Sequence, residues 1–281
     1  MKTVTIALAA FVSAAAVTQR AATQLDTSKI PGFIGHEVQP PAMHVPDGFT
    51  PIFNGRDLTG WHVSKTNHHG ITPNYYVQQG MILGTQRPLG SGGILLTDKK
   101  YKNVEIYMEV KPDWGCDSGL FLRSDEAGEA YQVTLDYLPG GTLGGMYGEG
   151  LNGVNGAMNA YGTPERARAE AQRASQPPQR GAQPQRPMSE RLSERPDANL
   201  PWVKAWKRED WNSIRARIEG DVPHIQAWIN DQPVLDFTDN ANHAMGGITE
   251  GPIAIQIHGG PDRWVPGGFW RWRVIAVKEL K

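Results

Sequence analysis

The chain has 281 residues, with 28 Lys and Arg against 29 Asp and Glu and a formal net charge of −1. That balance excludes the basic field that nucleic acid or an anionic membrane surface would require, and it points to a neutral ligand. Cys116 is the sole cysteine, which excludes an intrachain disulfide and a cysteine-built metal site, so stability must come from packing.

Residues 1–22 read as an export signal: Lys2 precedes an apolar run from Val4 to Val17, with Ala14, Ala15 and Ala16 as small residues for cleavage. The run is too short to span a bilayer, so the mature chain is expected to be exported, to the periplasm or the medium, without a transmembrane segment. Residues 23–48 form an N-terminal extension, and 49–281 are predicted to form one domain.

From Phe49 onward, short alternating segments are separated by Gly, Pro, Asn and Asp, the pattern of antiparallel strands and turns. Val104, Ile106, Met108 and Val110 alternate with Glu105, Tyr107 and Glu109. Ile214, Ala216 and Ile218 alternate with Arg215, Arg217 and Glu219, and Ile225, Ala227 and Ile229 with Gln226, Trp228 and Asn230. The two-residue period sends one set inward and the other outward. Asn230–Asp231 is a hairpin turn by composition, and Trp270 to Leu280 reads as the closing strand. The expected class is all-β, a sandwich of two antiparallel sheets. Residues 162–201 interrupt it with repeated Pro, Gln and Arg. Thr163–Pro164 starts a short predicted helix over 165–174, and the rest is a mobile insertion that could act as a lid.

Several strands place polar side chains where a plain sandwich would be merely solvated. Gln132, Thr134 and Asp136 share one face against Tyr131, Val133, Leu135 and Tyr137; Gln256 and His258 oppose Ile253, Ile255 and Ile257; Gly119, Phe121 and Arg123 oppose Leu120 and Leu122. If these strands are neighbours, the polar groups converge on one wet concave surface. Asp117 lies just before that segment, where a carboxylate also suits a turn cap. The Gly-rich run from Gly140 to Gly156 lacks the lysine and following helix of a phosphate loop, and reads as a flexible rim carrying Tyr147 and Glu149. A conventional glycosidase needs two carboxylates flanking the scissile bond. The nearest alternating pair, Glu105 and Glu109, reads instead as a solvated outer face.

The ordered segments GFTPIFNGRDLTGWHV, GGILLTDKKYKNVEIYMEVKPDWGCDSGLFLRS, YQVTLDY, GGMYGEG, DWNSIRARIEG, AWINDQPV, GPIAIQIHGG and WRVIAVKEL resemble the 3-keto-disaccharide hydrolase family. That family is the 3-keto-glucoside 1,2-lyase and 3-keto-2-hydroxyglucal hydratase domain. The resemblance runs from Phe49 to Leu280 apart from the insertion, and it implies a concanavalin-like jelly roll. It also has departures. Asp117 stands where the family often has Asn, Gln132 where it often has Glu, Thr134 where it often has Gln, and Val274 where Asn is common, while Arg273 matches. A base at position 132 is therefore excluded.

The chemistry the resemblance implies is elimination. A ketone at C3 acidifies the C2 proton, so the glycosidic bond can leave without direct displacement, and water then adds. Such a site needs a base near C2 and donors for the enolate oxygen. Asp136 or Asp117 is the expected base, Arg123 and His258 the expected donors at the oxyanion. Gln132 and Gln256 would read hydroxyls, Glu149 would sit on the rim, and Tyr147 and Trp264 would bracket the sugar. No cofactor is required by the sequence, although a divalent cation held by carboxylate and imidazole would serve the same enolate. The implied partners are a glycoside or oligosaccharide substrate and a separate sugar 3-dehydrogenase that makes the ketone. The alternative is a non-catalytic carbohydrate-binding module of the same fold.

Overall fold

Alternation and turn chemistry decide most of the strands in the computed structural model, which describes residues 44–136, 143–152, 154 and 201–281. The expected export signal, most of the N-terminal extension and nearly all of the insertion, including its predicted helix, lie outside the described residues. The strands, in chain order, are β1 (Thr50–Pro51), β2 (Trp61–Val63), β3 (Asn74–Gln78), β4 (Met81–Thr85), β5 (Gly93–Tyr101), β6 (Val104–Val110), β7 (Gly119–Leu122), β8 (Ala130–Thr134), β9 (Met146–Glu149), β10 (Asn212–Glu219), β11 (His224–Ile229), β12 (Gln232–Thr238), β13 (Gly251–Ile257) and β14 (Trp270–Glu279). A short α-helix, α1 (Pro201–Ala205), precedes β10 and buries Trp202. Among the described residues no helix is long and apolar enough to cross a membrane.

Two antiparallel sheets result. The larger runs β12-β11-β10-β6-β14-β4-β3, with β1 added beside β14; the smaller runs β2-β5-β13-β7-β8-β9. This is the expected concanavalin-like jelly-roll sandwich. The β10–β11 hairpin forms as its sequence predicts, in the register Ile214 with Ile229 and Ile218 with Ile225. Asn230 and Asp231 turn the next hairpin, β11–β12, with φ of 47° and 64°, the doubly left-handed turn that matches strand twist.

The core lies between the sheets. From the larger sheet come Ile106, Met108, Ile214, Ala216, Ile218, Ile225, Ala227, Trp270 and Trp272; from the smaller, Leu95, Leu120, Leu122, Tyr131, Val133, Ile253, Ile255 and Ile257. In β14 the alternation is interrupted: the register shifts between Arg273 and Ala276, and Val274 takes φ of 53°. That extra residue is a bulge, and it lets both Trp272 and Ile275 reach the core although their separation is odd.

The outer face of the larger sheet is a ladder of paired charges. Glu105 meets Arg215 at 3.1 Å and Glu109 meets Arg273 at 2.5 Å, while Arg215 and Arg273 lie over Trp228 and Trp211. The Glu105 and Glu109 carboxylates are thus bound to arginines on the sheet that the functional site below does not use.

Ile255, in the middle of β13 and fully buried, is a direct test of this core. Ile255→Ala is expected to lower unfolding free energy by about 2–5 kcal/mol in a urea titration; a loss below about 1 kcal/mol would mean the sheets do not close over this position.

Candidate functional site

Strand register brings the polar face of the smaller sheet together. Gln132 pairs with Phe121 on one side and Tyr147 on the other, and Thr134 pairs with Gly119. Ala254 pairs with Phe121 and Ile255 with Leu120, so the next residue of β13, Gln256, also falls beside Gly119. Gly119 is therefore a gap between two polar strands. Through it the Gln132 amide donates to Gln256 Oε1 at 3.3 Å. A Cβ at position 119 would stand 2.0 Å from Gln132 Nε2, so any larger residue would displace this floor.

The chain beyond each strand end is pinned by backbone hydrogen bonds. The Asp117 N–H donates to Arg263 O at 3.0 Å, the Leu135 N–H to Ser118 O at 3.0 Å, and the His258 N–H to Asp117 O at 3.4 Å. Ser118 Oγ adds a bond to Gln256 O at 2.8 Å. Gln86 supports the His258 segment from behind, donating to the carbonyls of His258 and Gly260 at 2.6 and 2.9 Å. These ties gather Asp117, Asp136, His258 and Arg263 around one cavity of about 470 Å³ at the end of the sheet, which Gln132, Thr134, Tyr147, Glu149, His68 and His69 also line.

Its electrostatics are those of a polar, partly closed site. Arg263 Nη1 bridges Asp117 Oδ2 at 3.4 Å and Asp136 Oδ2 at 3.2 Å. His258 Nδ1 lies 2.6 Å from Gly259 O. A carbonyl only accepts, so Nδ1 carries the proton and Nε2 presents a lone pair, 3.9 Å from Asp117 Oδ2. Burial, with His69 and Arg263 nearby, pushes the His258 imidazole down to about 4, which keeps it neutral at pH 7. Burial would raise the Glu149 carboxyl, but His69, His68 and His258 outweigh it and hold it below its ordinary range. Burial and the neighbouring His69 lower His68 as well. Cys116 is no nucleophile: burial pushes its thiol up to about 12.

Of the residues expected from sequence, Asp117, Gln132, Asp136, Tyr147, Glu149 and His258 meet in this cavity. Gln256, expected to read hydroxyls, instead lies beneath it, fully buried, accepting from Gln132 and with its own Nε2 lacking a partner among the described residues. Two further expectations are corrected. Trp264 is completely buried and donates to Gly268 O at 3.0 Å, so it cannot stack on a sugar. Arg123 takes φ of 51° just past the end of β7, which breaks the alternation and turns its side chain away. It is 2% exposed and donates to the carbonyls of Lys102 at 3.1 Å and Gly220 at 2.6 Å. Six residues of extended chain also separate it from Asp117, about 20 Å. His68, His69 and Arg263 were not singled out. The consecutive histidines of the loop after β2 were a readable signal; Arg263 was not, because a bridge between residues distant in sequence, Cys116 and Trp264, brings its segment to the site.

With this geometry in hand, the comparisons with known proteins are decisive for family. Residues 48–278 match the model of the 3-keto-alpha-glucoside-1,2-lyase-like domain. The chain belongs to this family. A 3-keto-disaccharide hydrolase of Bacteroides thetaiotaomicron is 31% identical to this lyase-like domain over 85 residues, which are 28% of the chain and 29% of that protein. Among solved structures, a Parabacteroides distasonis protein provisionally classed as a glycosyl hydrolase aligns over 83% of this chain and 94% of its own at 15% identity, TM-score 0.47. The carbohydrate-binding module CBM66 of Bacillus subtilis aligns over 78% and 96% at 12% identity, TM-score 0.44.

If Arg123 serves the fold of this lyase-like domain and not its cavity, Arg123→Met should lower stability by about 1–3 kcal/mol, the cost of leaving buried carbonyls unpaired, while the affinity for a bound sugar stays within twofold. A tenfold weaker affinity at unchanged stability would return Arg123 to the site.

Proposed function

We propose that this protein is an exported enzyme that cleaves 3-keto-glycosides by elimination followed by hydration. The observation that carries the reading is the unprotonated His258 Nε2 beside Asp117, set in a cavity with a guanidinium and an amide floor. Family membership supports the substrate class, since the matched domain is named for lyase action on a 3-keto-α-glucoside and the Bacteroides relative for 3-keto-disaccharide hydrolysis.

His258 Nε2 removes the C2 proton, and Asp117 stabilises the imidazolium that forms. This moves the base from the aspartates to the histidine, because Asp117 and Asp136 are both engaged by Arg263. In its neutral form His258 has no N–H to offer an enolate through Nε2, so Arg263 takes the donor role expected of Arg123. Electrons from the C2–H bond form the C1–C2 double bond as the C1–O bond breaks, and the leaving alkoxide takes a proton from solvent at the open rim. Water then adds its oxygen to C1, while the imidazolium, after its proton has exchanged with solvent at the open rim, returns a proton to C2. Each cycle consumes one water and leaves the base as it began. Gln132, Thr134 and Asp136 are placed to bond sugar hydroxyls, and Tyr147, 39% exposed, offers a ring at the rim. Asp117 and Asp136 are both ion-paired to Arg263, which disfavours either one as the protonated acid that a conventional hydrolase requires.

The substrate implies a partner reaction, an oxidation of the sugar at C3 by a separate dehydrogenase. The test compares a 3-keto-disaccharide with its parent sugar. Cleavage is expected for the ketone alone, with deuterium at C2 lost to solvent during turnover. His258→Gln and Asp117→Asn should each reduce kcat by about 10²–10⁴ while sugar binding persists. Equal cleavage of the parent sugar would favour a conventional hydrolase, and binding of the ketone without turnover would make this a carbohydrate-binding module.

Gly119→Ala adds a test of the amide floor. Its Cβ would overlap Gln132 Nε2, so KM for the keto-sugar should rise at least about tenfold, the equivalent of one lost hydrogen bond to a polar group. An unchanged KM would remove Gln132 from the binding surface.

A further inference from the structure

His68, His69 and Glu149 share the cavity wall in an arrangement that their own hydrogen bonding does not satisfy. Glu149 Oε1 lies 2.9 Å from His68 Nε2 but 3.5 Å from His69 Nε2. The latter nitrogen is buried with no hydrogen-bond partner among the described residues, an arrangement that opposes folding unless a ligand relieves it. Protonating both rings to serve one carboxylate would place two cations side by side, for the ring centroids are 4.0 Å apart. A cation held among the three donor atoms relieves both problems.

We propose that His68 Nε2, His69 Nε2 and Glu149 Oε1 bind one divalent first-row transition-metal ion of the zinc class, with its remaining coordination positions open to the cavity. The three atoms lie within 4.8 Å of one another. An ion at 2.0–2.2 Å from each needs them about 3.3–3.5 Å apart in a tetrahedral arrangement. The two separations from Glu149, 2.9 and 3.5 Å, require shifts of a few tenths of an ångström at most, and the half-exposed His68 has room to close the third side. Two imidazoles and one carboxylate are the ligand set of open, catalytic sites; calcium and magnesium, which prefer oxygen, are disfavoured.

The ligands stand on firm supports. In the histidine loop, Ser64 Oγ donates to Glu126 O at 2.5 Å, Asn67 Nδ2 to Ala127 O at 2.8 Å, and the His69 N–H to Asn67 Oδ1 at 3.0 Å. The loop presses so closely on the His258 segment that a Cβ at Gly259 would stand 2.2 Å from His69 O. Glu149 arrives from the other side on β9, hydrogen-bonded to β8. The open positions suit an α-hydroxy ketone, which offers its 3-oxo and 2-hydroxyl oxygens as a five-membered chelate. The ion would then carry the enolate charge beside Arg263. This role rests on the elimination reading above; the metal site itself does not.

Chelator-stripped protein titrated with Zn²⁺ alone in a calorimeter tests the site, with metal content measured after gel filtration. One equivalent is expected. His69→Ala and Glu149→Gln, checked for folding by circular dichroism, should each weaken binding about 100-fold or more, beyond the 10–100-fold typical of residues that merely orient a ligand. Loading with Co²⁺ in place of Zn²⁺ should give the visible absorption bands of a tetrahedral or five-coordinate ion in the unaltered protein, a readout that needs no variant. No stoichiometric uptake, or uptake equal in both variants, would overturn the proposal. One equivalent of zinc with no turnover of a 3-keto-disaccharide would uphold the site and sink the lyase reading. Full turnover by protein that takes up no metal would do the reverse.

Discussion

One backbone junction sets the geometry of the whole site. Asp117 donates its N–H to Arg263 and accepts the N–H of His258 on its carbonyl, so three segments distant in sequence meet at a single residue. Each bond is an ordinary amide hydrogen bond, worth about 1 kcal/mol net. Their effect is positional: they put an imidazole, a carboxylate and a guanidinium at the rim of a rigid sheet, where reacting groups are held more accurately than on free loops.

The floor of the cavity depends on an absence. Gly119 has no side chain, and the space it leaves admits the Gln132–Gln256 bridge across β7. Buried amides without partners are costly, yet Gln256 keeps a buried Nε2 with none among the described residues. A packed sandwich gains nothing from such a group. What Gln256 does supply is an acceptor for the amide of Gln132, the residue that faces the cavity. Gln132 and Gln256 lie on the smaller sheet, while on the larger sheet Glu109 pairs with Arg273.

The fold was legible because alternation is a local property. Ile214, Ala216 and Ile218, or Gln132 and Thr134 against Val133, declare their faces without reference to any other strand. The site was only partly legible, for two physical reasons. Alternation holds only while φ stays extended, so it failed at Arg123, where a left-handed residue swings the side chain away, and at Val274, where a bulge resets the register of β14. The second reason is that pairing between distant segments carries no local signal: Arg263 reaches the cavity through the bridge of Cys116 to Trp264, and nothing near position 263 announces it. Trp264 shows the same limit, since the aromatic ring that suited a sugar face serves the core instead.

The central claim is that the end of the smaller sheet, around His258, Gln132 and Arg263, is where a keto-sugar binds. A crystal structure of the protein soaked with a slowly reacting 3-keto-glycoside tests it most directly. The account predicts a sugar ring above Gln132 with C2 facing His258 Nε2 and the 3-oxo oxygen toward Arg263. A ring seated instead on the outer face of the larger sheet, against Trp211 or Trp228, would contradict it.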